Sequence, residues 1–480
     1  MRFPPQAERI LQAILSLAKK KKVKLYIVGG YLRDALLVRQ KDNPDIDFCL
    51  KNNAINFGRV LAKKIKAGFV VLDKEHGACR LVKKIDDKIY TFDFTDFRGK
   101  ALEKDLLHRD FTINAIAIDL EKVFSSEDLN NSLIDPYGAR EDLKAKIIRV
   151  VNKKSFAEDP LRILRAFSFA AIFDFKIDEE TLKLARKERE KLSAVSAERT
   201  RDELFKIFDR PNAYEYLAKM DDLKILKVIF PEIEKMRGIG QGPYHHLDVW
   251  QHTLETIKQV EGLIQELRNN KEIQDYLNGI ISSERRRRAL LKLAALLHDI
   301  GKPAALRHEG KKLIFHGHER IGRQMSEEIA RRLRLSNDEL NSLKIIVLRH
   351  LRPGYLADNE VLTPRAKFRY FRDAAGEAVS ILLLSIADQR STQGPLTTKG
   401  SRMRQEKTAF GLIREYFRKN KEKKIPRLIN GHDLMRKFKL EPSPLIGKIL
   451  SEIEELQAIG KIKNKTVALK IAADIVKNRE

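Results

Sequence analysis

The feature that most limits what this chain can fold into is a change of period near residue 150. Before it, short runs alternate apolar and polar side chains. KLYIVG (24–29), DIDFCL (45–50), GFVVLD (68–73), the stretch around Arg80–Val82 and KIYTFDFTDF (88–97) all read as strands, with helical runs between them. After it, strand signals nearly vanish. PLRILRAFSFAAIF, AERTRDELFKIF, RRRALLKLAALLHDI, HERIGRQMSEEIARRL and LIGKILSEIEELQAIG all carry apolar residues at helical spacing. The pattern predicts an α+β molecule: a mixed α/β head followed by a long all-helical remainder. At 480 residues the chain exceeds what one core holds, so two to four domains are expected.

Composition narrows the function classes. The net charge of +27 attracts polyanions, of which nucleic acid is the commonest large one. A lysine-rich chain with solvated faces gives the same charge. The two cysteines, Cys49 and Cys79, exclude a disulfide scaffold and cysteine zinc sites, and fit a reducing cytoplasm. No apolar run approaches the roughly 20 residues that cross a bilayer, so no membrane association is expected. The N-terminal MRFPPQAERILQAILSLAKKKK is interrupted by Gln6, Glu8, Arg9 and Gln12, and its positive charge follows the apolar part. It reads as an amphipathic helix rather than a signal peptide. RNNKEIQDYLNGIISSERRRR (268–288) reads as an exposed insertion or hairpin, its four arginines a solvated helix start or an RNA contact. Residues 391–408 read as a polar linker into a C-terminal tail.

The segment YIVGGYLRDALLVRQKDNPDIDFCL carries the head's chemistry. In a strand, residues i and i+2 share a side, so Asp45 and Asp47 present two carboxylates to one point while Ile46 and Phe48 face the core. Such a pair repels itself without a cation. Mg²⁺ prefers hard oxygen ligands and commonly takes one or two carboxylates plus substrate phosphates. Upstream, Gly29 and Gly30 follow a strand and precede a helix expected near Tyr31. Glycines there let backbone approach a phosphate, although chain geometry alone would also explain them. Arg33 is placed to pair with a phosphate oxygen; Asp34 orients Arg33 or caps the turn. In KDLLHRDFTINAIAIDL, Arg109 is a candidate for the triphosphate, and Asp110 and Asn114 for orienting ribose or local backbone. Asp93 is either a third carboxylate or ordinary strand polarity.

Taken together, GGYLRDALL…DIDF, HRDFTINAIA, IDPYGAREDLKAKIIRVV, EDPLRILRAFSFAA and VSAERTRDELFKIF resemble, in order and spacing, the class II tRNA nucleotidyltransferase and bacterial poly(A) polymerase family. The resemblance spans some 180 residues. It implies a nucleotidyltransferase-fold catalytic head (1–150) with Mg²⁺ on Asp45 and Asp47, and a helical neck (151–238) that recognises the base. Departures are Val38 where a glycine is usual, two extra residues before the aspartates, His108 where a second arginine is common, and Ser168 where an arginine is common. Ser168 puts one phosphate or template contact in doubt.

AEDPLRILRAFSFAA opens with acids and Pro160, a helix start. Asp159 and Arg162 lie three apart, and Arg165 continues the stripe. An ordinary surface ion pair, of about 0.3–0.5 kcal/mol, has the same spacing. The functional reading rests on base chemistry. Cytosine and adenine both offer an amino donor beside a ring-nitrogen acceptor. A carboxylate and a guanidinium match that pattern and mismatch uracil and guanine. The resemblance gives Asp159 and Arg162 this role, and gives Arg165 a nucleotide contact as well.

Further along, HHLDVWQHTLETI, ALLHDIGKP, FHGHERIG, VLRHL and LLSIADQR gather histidines and acids on or beside helices. An adjacent His-Asp at the end of an apolar helix needs a metal or strong partners if buried. The pattern resembles the HD phosphohydrolase superfamily. That implies an HD-type helical body (239–395) with His252, His298, Asp299 and Asp388 as principal ligands, and His318 and His350 completing a second site. Imidazole plus carboxylate suits Mn²⁺, Ni²⁺, Fe²⁺ or Co²⁺. The remaining segment (396–480) resembles the helical tail that follows such a domain and implies contact with tRNA phosphates.

The expectation is a cytoplasmic CCA-adding tRNA nucleotidyltransferase using CTP, ATP and tRNA, with no protein partner implied and a possible phosphohydrolase activity in the HD region. Narrower alternatives within the family are A-adding, CC-adding or poly(A) polymerase output. From another class, an HD phosphohydrolase with an RNA-binding head would carry some of the same motifs.

Overall fold

The computed structural model describes residues 5–39, 45–126, 128–310, 312–359, 361–422 and 426–477. The stretch just before Asp45, where the two extra residues fall, lies in 40–44 and so outside the described residues. Packing divides the chain into two compact units, Met1–Ile207 with Lys219–Ile229, and Phe208–Ala218 with Phe230–Glu480.

The first unit is built on a seven-stranded sheet. Its strands are β1 (Leu25–Val28), β2 (Asp45–Leu50), β3 (Gly68–Asp73), β4 (Ala78–Ile85), β5 (Lys88–Asp96), β6 (Ala117–Asp119) and β7 (Leu133–Ile134). They run in the order β3-β4-β5-β2-β1-β6-β7. Only β2 and β5 pair in parallel; the other neighbours are antiparallel. Period-two alternation sorts the side chains. Ile27, Ile46, Phe48, Leu81, Phe92 and Phe94 are fully buried on one face. Helices Pro5–Lys21 and Ala54–Ile65 cover that face with their own apolar stripes. Each such side chain stabilises the fold by roughly 1.5–3 kcal/mol. The rings of Phe48 and Phe94 stack at 4.8 Å across the parallel pair.

The opposite face is divided. Val28, Cys49 and Ala117 pack against Leu102 and Leu106 of the short helix Leu102–Leu107. The first half of β2, with Asp45 and Asp47, is left for chemistry. Beyond the sheet the unit becomes helical, led by Leu161–Phe173 and Ala197–Phe208.

In the second unit, two helices are apolar nearly all round, Arg287–Leu297 and Ala378–Ser391, and they are accordingly buried. Val249–Glu266, Asn337–Arg349 and Lys399–Lys421 pack around them. The last helices, Gly431–Phe438, Pro444–Ala458 and Lys465–Lys477, share a small core of Leu434, Ile446, Ile449, Ile453, Ala468 and Ala472. Among the described residues no helix is long and apolar enough to cross a membrane.

The N-terminal amphipathic helix forms as expected, ending on Lys19, Lys20 and Lys21 where cations suit the helix dipole. Two expectations change. The 391–408 linker shortens, because Thr398 caps the Ser401 amide at 3.1 Å and starts the helix Lys399–Lys421. The arginine run 285–288 does start a helix, Arg287–Leu297, but it is not simply solvated. Arg285 is bound by the buried Glu339 and Arg287 by the buried Glu377, while Arg286 reaches Asp209 at 3.2 Å and Arg288 reaches Asn278 at 2.7 Å. The hairpin between 280 and 286 does form.

Candidate functional sites

The parallel register sets the head site. Asp47 stands directly beside Asp93, and Asp45 beside Thr91. Asp45 is exposed and Asp47 half-buried. Asp93 is held by Arg80 through two bonds, 2.8 and 2.7 Å. The Asp47 carboxyl is pushed up to about 6: burial raises it most, Arg109 opposes, and Asp93 and Asp45 raise it further. A half-buried carboxylate beside two others fits a divalent cation.

Asp47 and Asp93 open onto a cleft of about 440 Å³. Its remaining walls include Arg98, Arg109, Arg162, Arg165 and Arg199, together with Asp110 and Asp159. The walls thus mix aspartates with five guanidiniums, and Asp45 is not among the lining residues. Arg109 carries a buried Nε that makes no hydrogen bond among the described residues and lies 3.8 Å from the buried Asp105 carboxylate, which leaves its donors room for an anion. Gly29 makes this packing possible. It adopts φ +75°, and an added Cβ would stand 2.6 Å from an Arg109 terminal nitrogen.

The other expected residues form a relay behind the cleft. Arg33 is not among the lining residues. It donates to Asn114 at 2.6 Å and Asp34 at 2.8 Å, and its guanidinium lies over the rings of Phe169 and Phe173. Asn114 donates to Asp110 at 2.9 Å, and Asp110 accepts from Arg165 at 2.7 and 3.0 Å. Burial alone would raise the Asp110 carboxyl. Arg165, Asn114 and the Phe111 amide outweigh that and hold it below the usual range. Gly30 opens a helix of only seven residues, Gly30–Leu36. The Leu32 and Arg33 amides of that turn already bond the Gly29 carbonyl.

Arg162, 7 % exposed, spends its donors on the carbonyls of His108 (2.7 Å), Ser155 and Arg109 and on the Ser155 hydroxyl. Asp159 pairs with Arg199 instead, at 2.8 Å. Ser168 donates to the buried Glu203, which also bonds Lys206 at 2.8 Å. Asp73, His76, Arg98 and Arg199 line the cleft and were not singled out in the sequence. Only the Asp-x-x-His spacing of the first two carried a usable signal.

The second unit gathers the histidine–aspartate residues. His252 comes from Val249–Glu266, His298 and Asp299 follow Arg287–Leu297, His318 opens His318–Arg332, His350 follows Asn337–Arg349, and Asp388 lies on Ala378–Ser391. Five of the six are buried. Asp299 sits at the centre. Its Oδ2 lies 3.2 Å from His298 Nε2 and 3.7 Å from His252 Nε2, and its Oδ1 lies 3.3 Å from His318 Nε2 and 3.8 Å from His350 Nε2. Asp388 Oδ1 completes the first side, 2.9 Å from His252 Nε2.

Tautomers follow from the outer contacts. His298, His318 and His350 each place Nδ1 2.7–2.8 Å from a backbone carbonyl, those of Ala295, Phe315 and Val347. A carbonyl only accepts, so each Nδ1 carries a proton and each Nε2 faces the cluster. His298 Nε2 makes no hydrogen bond. Burial, with His298 and His318 nearby, pushes His350 down to about 3 and keeps it neutral. Imidazoles whose Nε2 atoms converge on a buried carboxylate fit a metal, and two three-residue groups sharing Asp299 have ligand-compatible geometry. Lys302, unanticipated, places Nζ 2.6 Å from Asp299 Oδ2 and 2.6 Å from Gln241 Oε1. It stands three residues after Asp299, so a helical reading of HDIGK would have found it.

Comparison with known proteins covers both units. Residues 25–149 match the poly(A) polymerase head domain, 174–236 the RNA- and SrmB-binding site of polymerase A, 249–392 the HD domain, and 401–473 tRNA nucleotidyltransferase domain 2. The A-adding tRNA nucleotidyltransferase of Deinococcus radiodurans is 28% identical over 91% of this chain and 92% of that one. The CC-adding tRNA nucleotidyltransferase of Synechocystis is 28% identical over 94% of each. The multifunctional CCA protein of Neisseria gonorrhoeae is 31% identical over 72% of this chain and 79% of that one. In fold, the Thermotoga maritima CCA-adding enzyme complexed with tRNA-CCA superposes with a TM-score of 0.63 at 23% identity, covering 100% of this chain and 97% of that chain. The chain belongs to the class II tRNA nucleotidyltransferase and poly(A) polymerase family, as an enzyme with an HD domain.

Proposed function

We propose that this enzyme builds or repairs the 3′ CCA end of tRNA from CTP and ATP, in the cleft of its first unit. One observation carries the reading: Asp47 and Asp93 stand side by side, with Asp45 two residues ahead of Asp47, and Asp47 and Asp93 open onto a cleft that five arginines also line. Asp45 and Asp47 would hold Mg²⁺, which when bound makes the RNA 3′-hydroxyl a better nucleophile and neutralises departing pyrophosphate. That hydroxyl attacks the α-phosphorus of the nucleotide, and the bond to the β-phosphate oxygen breaks. Arg109, unsatisfied at Nε and packed against Gly29, holds the triphosphate. Arg165 is aligned by Asp110, which Asn114 and Arg33 brace from behind. Asp34 fixes Arg33. Asp159 favours cytosine and adenine over uracil and guanine, while Arg162, its donors held by the carbonyls of His108, Ser155 and Arg109, stiffens that site rather than meeting the base.

In this reading residues 1–150 catalyse, 151–238 read the base, 239–395 form the HD domain and 396–480 contact tRNA, all in the cytoplasm. His252, His298, Asp299 and Asp388 would hold one transition metal, and Asp299 with His318 and His350 a second. Such an ion, when bound, supplies activated water for phosphoester hydrolysis. Lys302 and the backbone carbonyls behind His298, His318 and His350 keep those ligands oriented.

The test is tRNA ending before CCA, incubated with CTP, with ATP, and with both. Two C residues from CTP and a terminal A only when both are present support CCA addition. Poly(A) product or no C incorporation overturns it. C addition that never proceeds to A indicates CC-adding output. Addition of A only to tRNA already ending in CC indicates A-adding output.

A further inference from the structure

The relation between Asp159 and Arg162 leaves a gap. Arg162 reaches into the head's backbone, with its donors taken up by the carbonyls of His108, Arg109 and Ser155. Asp159 uses Oδ1 to accept the Leu161 amide at 3.2 Å, at the start of the helix Leu161–Phe173. Its Oδ2 accepts from Arg199 at 2.8 Å. Asp159 therefore has no direct partner in Arg162, and the guanidinium beside it belongs to the helix Ala197–Phe208.

Arg199 is well placed for that task. It lines the 440 Å³ cleft and also an adjoining cavity of about 1010 Å³, which it shares with Arg98, His108 and Asp159. Its side chain is 53% exposed, and its other donors have no protein partner among the described residues. The helix beneath it is anchored. Glu203, one turn on and 4 % exposed, receives Ser168 and lies 3.8 Å from Arg165. The arginine that is open to the cleft thus stands on a fixed base.

We propose that Arg199 is a positioning residue for base selection: it holds the Asp159 carboxylate in one orientation, so that this acceptor faces the exocyclic amino group of cytosine or adenine. The inference rests on the reading that the cleft takes CTP and ATP. An acceptor pinned at one oxygen by a backbone amide and at the other by a guanidinium cannot turn away. A base that presents a carbonyl there meets lone pairs facing lone pairs and is rejected. Without Arg199 the carboxylate can rotate aside, and a carbonyl-bearing base is tolerated. Arg199 works through Asp159, and its open donors remain available to a phosphate or ring nitrogen.

The experiment uses the full chain with tRNA ending before CCA, and measures kcat/KM for CTP and for UTP. Arg199→Met should lower the preference for CTP over UTP at least tenfold, roughly the loss of one buried polar match. It should leave tRNA affinity within about twofold, which a merely structural defect would not. Asp159→Asn should relax the same preference, and the double variant should relax it no further. A preference unchanged in Arg199→Met, whatever its overall rate, overturns the inference. If turnover is lost, equilibrium binding of CTP against UTP carries the same two outcomes. If Arg199→Met does not fold, Arg199→Gln, which keeps length and polarity but not charge, is read in its place. A wild-type chain that adds no nucleotide to tRNA would refute the proposed function rather than this inference.

Discussion

At the scale of single residues, the head site is a problem of uncompensated negative charge. Asp47 lies in a half-buried position beside Asp93 and near Asp45, and its folded pKa of about 6 stands above the ordinary carboxylate value. The sign follows from linkage. A carboxyl whose folded value is raised contributes stability below the unfolded carboxylate range, and loses it as pH rises through about 6. A cation on the pair reverses that loss, and proton and cation compete for the same oxygens. Millimolar Mg²⁺ should therefore raise the melting temperature more at about pH 8 than at about pH 5. Asp47→Asn should remove the difference. Equal shifts at both pH values would contradict the assignment. Asp93 is a different case, because Arg80 already balances it.

Among the secondary-structure elements, the glycine turn between β1 and the helix Gly30–Leu36 decides whether Arg109 can sit beside Asp47. Gly29 combines a positive φ with a Cβ position that Arg109 occupies, whereas a Cβ at Gly30 meets only the end of the Arg33 side chain at 3.4 Å. Gly29→Ala should cost about 1–3 kcal/mol and reduce kcat/KM at least tenfold. Gly30→Ala should be much milder. Thermal melts and steady-state kinetics on the pair test this, and equal effects would contradict it. This element was legible in part: the Gly-Gly turn fitted chain geometry equally well and its use, room for Arg109, shows only in the fold, whereas Asp-x-Asp needs only period two to share a face. The histidines were legible for a similar reason: a His-Asp at the end of an apolar helix must be buried with partners. What stayed hidden depends on tertiary distance. Nothing near Arg199 announces Asp159, forty residues away. Nor does the run 285–288 announce Glu339 and Glu377, which convert a run of surface-like charge into buried pairs. Arg33 reads as a phosphate partner until Asn114, Phe169 and Phe173 engage it behind the cleft.

Across the whole molecule, the +27 charge and the five arginines in the cleft describe a chain suited to a polyanionic substrate. Binding of tRNA should weaken steeply with salt. The slope of log affinity against log salt should correspond to at least about five released counterions, since extended RNA contact engages several phosphates. An affinity flat in salt would contradict a phosphate-dominated contact. The two constellations are built in separate packing units. His298→Ala with Asp299→Ala should therefore strip bound transition metal, read by elemental analysis, and lower any phosphatase activity.

The most direct test of the central claim is nucleotide addition to tRNA lacking CCA by three proteins side by side: wild type, Asp45→Ala/Asp47→Ala, and His298→Ala/Asp299→Ala. With Mg²⁺, the head variant should lose at least about a thousandfold in rate, while the HD variant stays within a few-fold of wild type. Addition that survives loss of both head aspartates, or that disappears with the HD pair alone, would contradict the account.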